Sequence, residues 1–106
     1  MPKYLVEVSY TSDGAKGVLK DGGSKRRAAA KALVESVGAK METFYYAFGD
    51  TDVIVIIDAP DAAAAAAMSL AIGASGAVTA RTTPLLTAED IDAATKKSAS
   101  YTAPGR

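Results

Sequence analysis

The stretch Val53-Ile54-Val55-Ile56-Ile57 consists entirely of apolar, β-branched residues. Such residues favour strands, and a strand that is apolar at every position is typically buried on both faces. Helices can cover one face of the sheet that contains this strand. A chain of 106 residues has little material left to cover the other face, because a small domain builds only a few layers around one core. The stretch therefore predicts a sheet with one face left open to another molecule.

Strand and helix patterns alternate on both sides of this stretch. Residues 3–10 are typical of a strand whose even-numbered residues, Tyr4, Val6, Val8 and Tyr10, face the core. Two helices are predicted next: a short one that ends at 21–23 with Val18 and Leu19 inward, and one that is capped by Ser24 and stopped by Gly38. Strands over 40–48 and 52–59 follow, joined by a turn. The last predicted elements are an alanine-rich helix from Pro60 to Gly73, a strand over 77–83 and a terminal helix over 87–97.

This order of elements is the split β-α-β pattern of the ferredoxin-like fold. We expect one α+β domain over residues 1–97, with helices on one face of a four-stranded antiparallel sheet, and a flexible tail over residues 98–106. A large apolar sheet face does not stay exposed on a monomer. We therefore expect self-association through the sheet face, as a dimer or a higher homo-oligomer.

Composition excludes several classes of protein. Twelve basic residues balance twelve acidic ones, so we expect no nucleic-acid partner. The chain has no Cys and no His, which removes disulfides, Ser-His-Asp catalysis and the commonest metal ligands. We expect no metal and no cofactor. No apolar run approaches the length of a membrane span, and the N-terminus does not resemble a signal peptide. These features predict a soluble, cytoplasmic protein that does not bind membranes.

The first candidate site lies on the expected open face of the sheet. Glu7 and Arg81 would form a pair across neighbouring strands, with Thr79 beside them. Aromatic residues of the second predicted strand would form the wall of a cavity there: Phe44, Tyr46 and Phe48. A carboxylate, a guanidinium and a phenol among apolar residues suit a small polar or aromatic ligand. The alternative is a charge pair inside an oligomer interface, where each charge needs its partner because a lone buried charge is costly.

The second candidate site is a basic segment at the start of a predicted helix. Ser24, Arg26 and Arg27 follow the pair Gly22-Gly23. Free backbone N–H groups and the helix dipole favour an anion at such a position. The segment does not have the spacing of a P-loop. The alternative is a solvated helix face, on which Lys31 lies one turn from Glu35.

Several landmarks along the chain resemble the GYD-domain family. They are Tyr4-Leu5-Val6, Tyr10-Thr11, Gly22-Gly23-Ser24 with Arg27, Phe48-Gly49 with Asp52, and Ser69-Leu70-Ala71 through Thr82-Thr83-Pro84-Leu85-Leu86. The resemblance runs over roughly residues 4–97 and includes the spacing between landmarks. It implies a small bacterial or archaeal protein, similar in architecture to dimeric α/β-barrel proteins, and it implies no particular biochemical activity. Thr51 occupies the position of the family's tyrosine.

Three functions are open on these grounds. The first is a small oligomeric protein that binds a ligand or partner at a sheet-face or inter-subunit cavity. The second is a cofactor-independent oxygenase or isomerase that acts on a small aromatic compound, which rests on analogy of fold. The third is a regulatory oligomer that binds a nucleotide or another anion through its basic segment. The sequence does not decide whether the protein is an enzyme.

Overall fold

The computed structural model describes residues 1–106 and contains four strands and four helices. The strands are β1 (Lys3–Tyr10), β2 (Lys40–Tyr46), β3 (Val53–Asp58) and β4 (Val78–Leu85). The helices are α1 (Ser12–Asp21), α2 (Gly23–Ser36), α3 (Ala62–Ala74) and α4 (Ala88–Thr95). None of the helices is both long enough and apolar enough to span a membrane.

The four strands form one antiparallel sheet in the order β2-β3-β1-β4. The first strand is therefore central, between the third and the fourth. Helix α2 packs over β2 and α3 packs over β4, so both cover the same face of the sheet. This arrangement confirms the predicted α+β, ferredoxin-like fold with a four-stranded antiparallel sheet.

The core lies between the covered face of the sheet and helices α2 and α3. Alternate residues of the two central strands enter it: Tyr4, Val6, Val8, Val53, Val55 and Ile57. Val34 of α2 and Met68 of α3 pack against them. Burial of one large aliphatic side chain contributes about 1.5–3 kcal/mol. Alanines dominate α3, and Ala65 is buried, because a small side chain lets the helix lie close to the sheet.

A β-bulge in β2 reverses the direction of its aromatic side chains. Met41 lies opposite Ile57, whereas Thr43 lies opposite Ile56, so the register shifts by one residue between them. Simple alternation from Met41 would place Phe44 and Tyr46 on the open face, but after the bulge they lie on the covered face, opposite Val55 and Val53. The prediction that these aromatic residues wall an open-face cavity is therefore wrong, because a bulge inserts one residue and inverts the alternation.

Four details of the predicted elements also differ. Helix α2 begins at Gly23, and its N-cap is Gly22 without a side-chain hydrogen bond, so Ser24 does not cap it. Leu19 is exposed rather than inward, while Val18 is partly buried. Strand β2 ends at Tyr46 rather than at Phe48. Strand β4 continues through Pro84, which an edge strand tolerates because one row of its N–H groups has no partner.

The terminal helix α4 stands apart from the sheet and the other helices. Its predicted start is confirmed by a capping box, in which the Thr87 side chain accepts the Asp90 N–H and the Asp90 carboxylate accepts the Thr87 N–H. None of its residues is buried, and it makes no extensive contact with another element. The radius of gyration is accordingly 16.9 Å, against about 13 Å for a compact domain of this length.

The start of α1 is held against the loop before β4. Thr11 donates its backbone N–H to the Ala77 carbonyl at 3.0 Å, and its hydroxyl lies 2.9 Å from the same oxygen. The Thr11 hydroxyl also accepts the N–H of Gly14. Gly14 is buried, and a Cβ there would overlap the Ala77 carbonyl oxygen. The glycine is therefore required by the close approach of two backbones.

We expect Gly14→Ala to destabilise the fold by about 1–3 kcal/mol, because the added methyl forces α1 away from Ala77. Gly17→Ala is the matched control, since nothing lies within 4 Å of a Cβ at Gly17 in the same helix. It should stabilise the protein by about 0.5–1 kcal/mol. Urea unfolding of both variants measures the difference, and equal stabilities would contradict this account of Gly14.

Candidate functional site

The open face of the sheet carries a mixed apolar and polar surface. In the strand register, Leu5 lies between Ile56 and Thr83, and Glu7 lies between Ile54 and Arg81. Leu5 and both isoleucines remain partly exposed, because no helix covers this side. The exposed Tyr45 lies beside Ile54 on the same face. Residues Leu5, Tyr45, Ile54 and Ile56 are called the open-face patch below.

Glu7, Thr79 and Arg81 of the first candidate site lie together on this face. Arg81 Nη2 is 3.4 Å from Glu7 Oε1, and both residues line a shallow cavity of about 190 Å³ with Thr79. Thr51, in the position of the family's tyrosine, also lines this cavity. The Arg81 side chain is 72% exposed, so within one chain the pair is of the surface type and contributes about 0–1 kcal/mol.

Tyr46 of the first candidate site lies on the opposite face in a different cavity. This hairpin-end cleft has a volume of about 420 Å³ and is formed where β1 and β2 end. Its lining is mainly apolar and comprises Tyr10, Ala15, Val18, Gly23, Tyr46, Ala47, Phe48 and Asp52. Phe48 lies fully exposed at its rim. The cleft thus combines an apolar wall with two phenols and one carboxylate.

Hydrogen bonds from the β2–β3 connection shape the cleft. Asp52 Oδ2 accepts the Tyr10 backbone N–H at 2.7 Å, and the Asp52 backbone N–H donates to the Val8 carbonyl at 2.8 Å. Its own carbonyl accepts the Ala47 N–H at 2.9 Å. Asp52 therefore ties the hairpin to β1, and this is a structural role for the aspartate of the family motif.

The Tyr46 hydroxyl joins the cleft to the start of α2. It donates to the Gly23 carbonyl at 3.0 Å, and the Tyr46 ring packs edge-on against Phe44 with ring centroids 5.2 Å apart. A Cβ at Gly23 would lie 3.2 Å from the Tyr46 ring. The glycine before Ser24 therefore lets the helix approach the tyrosine closely.

Burial raises the pKa of Tyr10 to about 12, and the neighbouring Tyr46 phenol adds to the shift. Arg26 opposes the shift, because a cation favours the phenolate. The Tyr10 hydroxyl is therefore protonated throughout the neutral pH range. It can donate a hydrogen bond to a ligand, but it is a poor proton acceptor.

The second candidate site is partly neutralised by an acidic neighbour. Asp21 lies 3.7 Å from Lys25 Nζ and 3.9 Å from Arg26 Nη1. Ser24 is exposed, and Arg27 forms no ion pair. Lys31 lies 3.9 Å from Glu35, as the solvated-face alternative predicts. The basic segment thus borders the hairpin-end cleft through Gly23 and Arg26 without forming a separate cavity.

Sequence patterns did not identify the hairpin-end cleft as a site. Tyr10 and Tyr46 each end a strand, and the sheet order places these strands, β1 and β2, on either side of β3. The sequence predicts Tyr10 as a core residue and Asp52 as the start of a strand, and both are landmarks of the family resemblance, but neither is predicted to bind a ligand. Each of two strands ends in a tyrosine, and this pattern indicates the cleft only when the order of the strands in the sheet is known.

Tyr10 should give a late transition, near pH 12, in an absorbance titration. Because its pKa is raised in the folded state, the stability that its neutral form contributes is present below pH 10 and is lost as the pH rises from 10 towards about 12. Tyr10→Phe should remove the late transition and reduce the loss of stability over that range. A Tyr10→Phe titration curve that keeps the late transition would assign it to another phenol.

Comparisons with known proteins agree with this fold. The crystal structure of MtbAldR superposes with a TM-score of 0.54 at 17% sequence identity, over 81% of this chain and 52% of that chain. At this identity the likeness shows the fold alone, and this chain spans about half the length of MtbAldR. A search of curated proteins found no significant match. The GYD-domain family model matches residues 4–95. Since this match covers most of the chain, the chain belongs to the GYD-domain family.

Proposed function

We propose that this GYD-domain protein is a homo-oligomer that binds a small, largely apolar ligand in the hairpin-end cleft. The observation that carries the proposal is the composition of that cleft, in which two phenols, one carboxylate and an exposed phenylalanine stand in a mainly apolar wall. Ligand sites in proteins are typically apolar concavities with a few polar groups that orient the ligand.

The lining of the cleft also favours a chemical class of ligand. Tyr46 and Phe48 offer ring faces and edges for contact with a planar aromatic group. The protonated Tyr10 hydroxyl can donate to an acceptor oxygen, and Arg26 lies close enough to affect the Tyr10 pKa. A planar aromatic compound with one anionic or hydrogen-bond-accepting group matches this combination.

The same geometry supports binding better than catalysis. The one carboxylate in the cleft, Asp52, already accepts the Tyr10 amide, and the raised pKa of Tyr10 disfavours it as a base. The oxygenase or isomerase alternative needs a proton acceptor at the ligand. The anion-binding alternative is weakened by Asp21, which pairs with Lys25 and Arg26.

Self-association through the open face is the second part of the proposal. The open-face patch is apolar and lies at the centre of a four-stranded sheet, and a stable dimer interface buries about 1,600 Å² in total. A second copy packed on this face would cover the patch and the Glu7–Arg81 pair. The pair would then become a buried ion pair, for which the loss of either partner is costly.

We expect Tyr46→Ala and Phe48→Ala each to weaken binding of the aromatic anion anilinonaphthalene sulfonate by about three- to ten-fold, because each removes one aromatic contact. Tyr101→Ala is the matched control, since it deletes an exposed phenol outside the cleft. Fluorescence titration gives the dissociation constants, and circular dichroism checks that each variant is folded. Weakening by Ile54→Ser but not by Tyr46→Ala would place the dye on the open face and contradict the cleft.

Ile54→Asp should dissociate the oligomer while the domain stays folded, because Ile54 lies on the open face and is partly exposed. Ile57→Asp is the contrasting variant: Ile57 is fully buried in the core, so a carboxylate there costs several kcal/mol and should unfold the domain. Sedimentation equilibrium and circular dichroism separate the two effects. A wild-type protein that sediments as a monomer at micromolar concentration would refute sheet pairing.

A further inference from the structure

The sheet has two edge strands, and they differ in how well they are protected from pairing with another chain. Along β2, the bulge at residues 41–43 bends the edge, and Lys40 and Glu42 carry charges there. Bulges and charged side chains are features that keep a sheet edge from pairing. Strand β4 is a regular strand of eight residues without a register shift, and Arg81 is its single charged residue. The edge along β4 is therefore the less protected of the two.

The hydrogen-bond pattern shows which backbone groups of β4 face outward. Thr11 donates its N–H to the Ala77 carbonyl, so the odd-numbered residues of β4 direct their backbone groups toward β1. Backbone groups alternate in direction along a strand. The even-numbered residues therefore direct theirs away from the sheet: Val78, Ala80, Thr82 and Pro84. Pro84 has no N–H, but the other three each present an N–H and a carbonyl that no strand of their own chain pairs.

This outward row is complementary to itself. A two-fold axis perpendicular to the sheet brings the same edge of two copies together, with the strands antiparallel. With the axis at Ala80, Ala80 pairs with its own counterpart and Val78 pairs with Thr82. Every outward N–H of these residues then meets a carbonyl of the other copy.

The neighbouring registers are less favourable. An axis at Arg81 would place the two Arg81 side chains directly opposite each other, and like charges in that position oppose pairing. An axis at Thr82 would pair Ala80 with Pro84, which has no N–H to donate. With the axis at Ala80, Arg81 lies opposite Thr79 of the other copy and Pro84 lies outside the paired stretch. The sequence of β4 thus favours this register.

The helix above this edge carries no charge that would repel a second copy. Ser69 Oγ lies 2.7 Å from Thr82 Oγ1, so one side of α3 lies over β4. Residues 62–74 of α3 include no charged side chain, and Leu70, next to Ser69, is 73% exposed. Antiparallel pairing keeps the helices of both copies on one face of the joined sheet. The two α3 helices would therefore meet along uncharged sides.

We infer that β4 pairs edge to edge with β4 of a second copy, antiparallel about a two-fold axis at Ala80. The two sheets then form one continuous sheet. This contact uses backbone groups at the edge, so it is separate from the proposed pairing of open faces and compatible with it. It covers less apolar surface than a sheet face does, so it forms at higher protein concentration.

Amide hydrogen exchange in the wild-type protein tests this contact. The amides of Val78, Ala80 and Thr82 should exchange slowly in a concentrated NMR sample, because hydrogen bonds to the second copy protect them. Their protection should be lost on dilution, whereas amides bonded within the sheet keep theirs. Fast exchange of the three amides in the concentrated sample, or protection that dilution does not change, would overturn the inference.

The outward amides of β2 are the internal control. Ala47 donates its N–H to the Asp52 carbonyl, so by alternation the N–H groups of Phe44 and Tyr46 face away from β3. These two amides should exchange fast at both concentrations. Concentration-dependent protection of both edges would show β4 paired with β2 of another copy, which would contradict pairing of β4 with itself.

The absence of cysteine allows the register to be measured with disulfides. Thr79 and the partner's Arg81 would form a non-hydrogen-bonded pair with Cα atoms about 4.5 Å apart, a separation that a disulfide can bridge. A mixture of Thr79→Cys and Arg81→Cys proteins in glutathione buffer should give about ten-fold more mixed disulfide than either homodimer, because proximity raises the effective concentration. Mass spectrometry measures the products. An excess of the Arg81→Cys homodimer would place the axis at Arg81 and refute the register.

Ala80→Pro should raise the dissociation constant of the edge contact by about ten-fold, because it removes the central N–H of both copies. The domain should stay folded, since that N–H has no partner within its own chain. Ile54→Asp, on the open face, is the control and should leave the protection of Val78 and Thr82 unchanged. Folded Ala80→Pro protein that keeps this protection would contradict the edge contact. Loss of protection in Ile54→Asp would show that the protection comes from the open face instead.

Discussion

Strand β3 imposes the constraint on which the rest of the structure depends. Val53, Val55 and Ile57 complete the core beneath α2 and α3, whereas Ile54 and Ile56 lie on a face that no helix covers. The chain ends its regular structure with one short helix that stands clear of the sheet. One side of β3 therefore stabilises the domain, whereas its other side leaves apolar residues exposed. The proposed oligomer would cover these exposed residues.

The fold was largely predictable because its elements carry strong local signals. The alternation of Tyr4, Val6 and Val8 gave β1 its bounds and its buried face, and Thr87 with Asp90 marked the start of α4. The β2 bulge was not predictable, because nothing in the residues 41–43 distinguishes a regular strand from one with an extra residue. That single irregularity moved Phe44 and Tyr46 to the other face and changed the candidate site.

The sheet-face group and the hairpin-end cleft differ in how far the sequence predicts them. Glu7, Thr79 and Arg81 lie together because strand order and alternation suffice to place them. The hairpin-end cleft depends on features that lie far apart in the chain: the tie between Asp52 and Tyr10, and the contact of Tyr46 with Gly23. Long-range hydrogen bonds of this kind produce no periodic pattern in the sequence. The sequence therefore does not predict that these residues contact one another.

The central position of β1 has a consequence for how the chain folds. The strand synthesised first pairs on one side with β3 and on the other with β4, where Lys3 meets Leu85. The side of β1 that pairs with β4 therefore stays open until residues 78–85 are available, and closure of so long a loop slows folding. During that interval β1 presents an unpaired edge, which is prone to intermolecular pairing. Nascent chains of this protein are thus expected to depend on chaperones more than a helical bundle of equal length would.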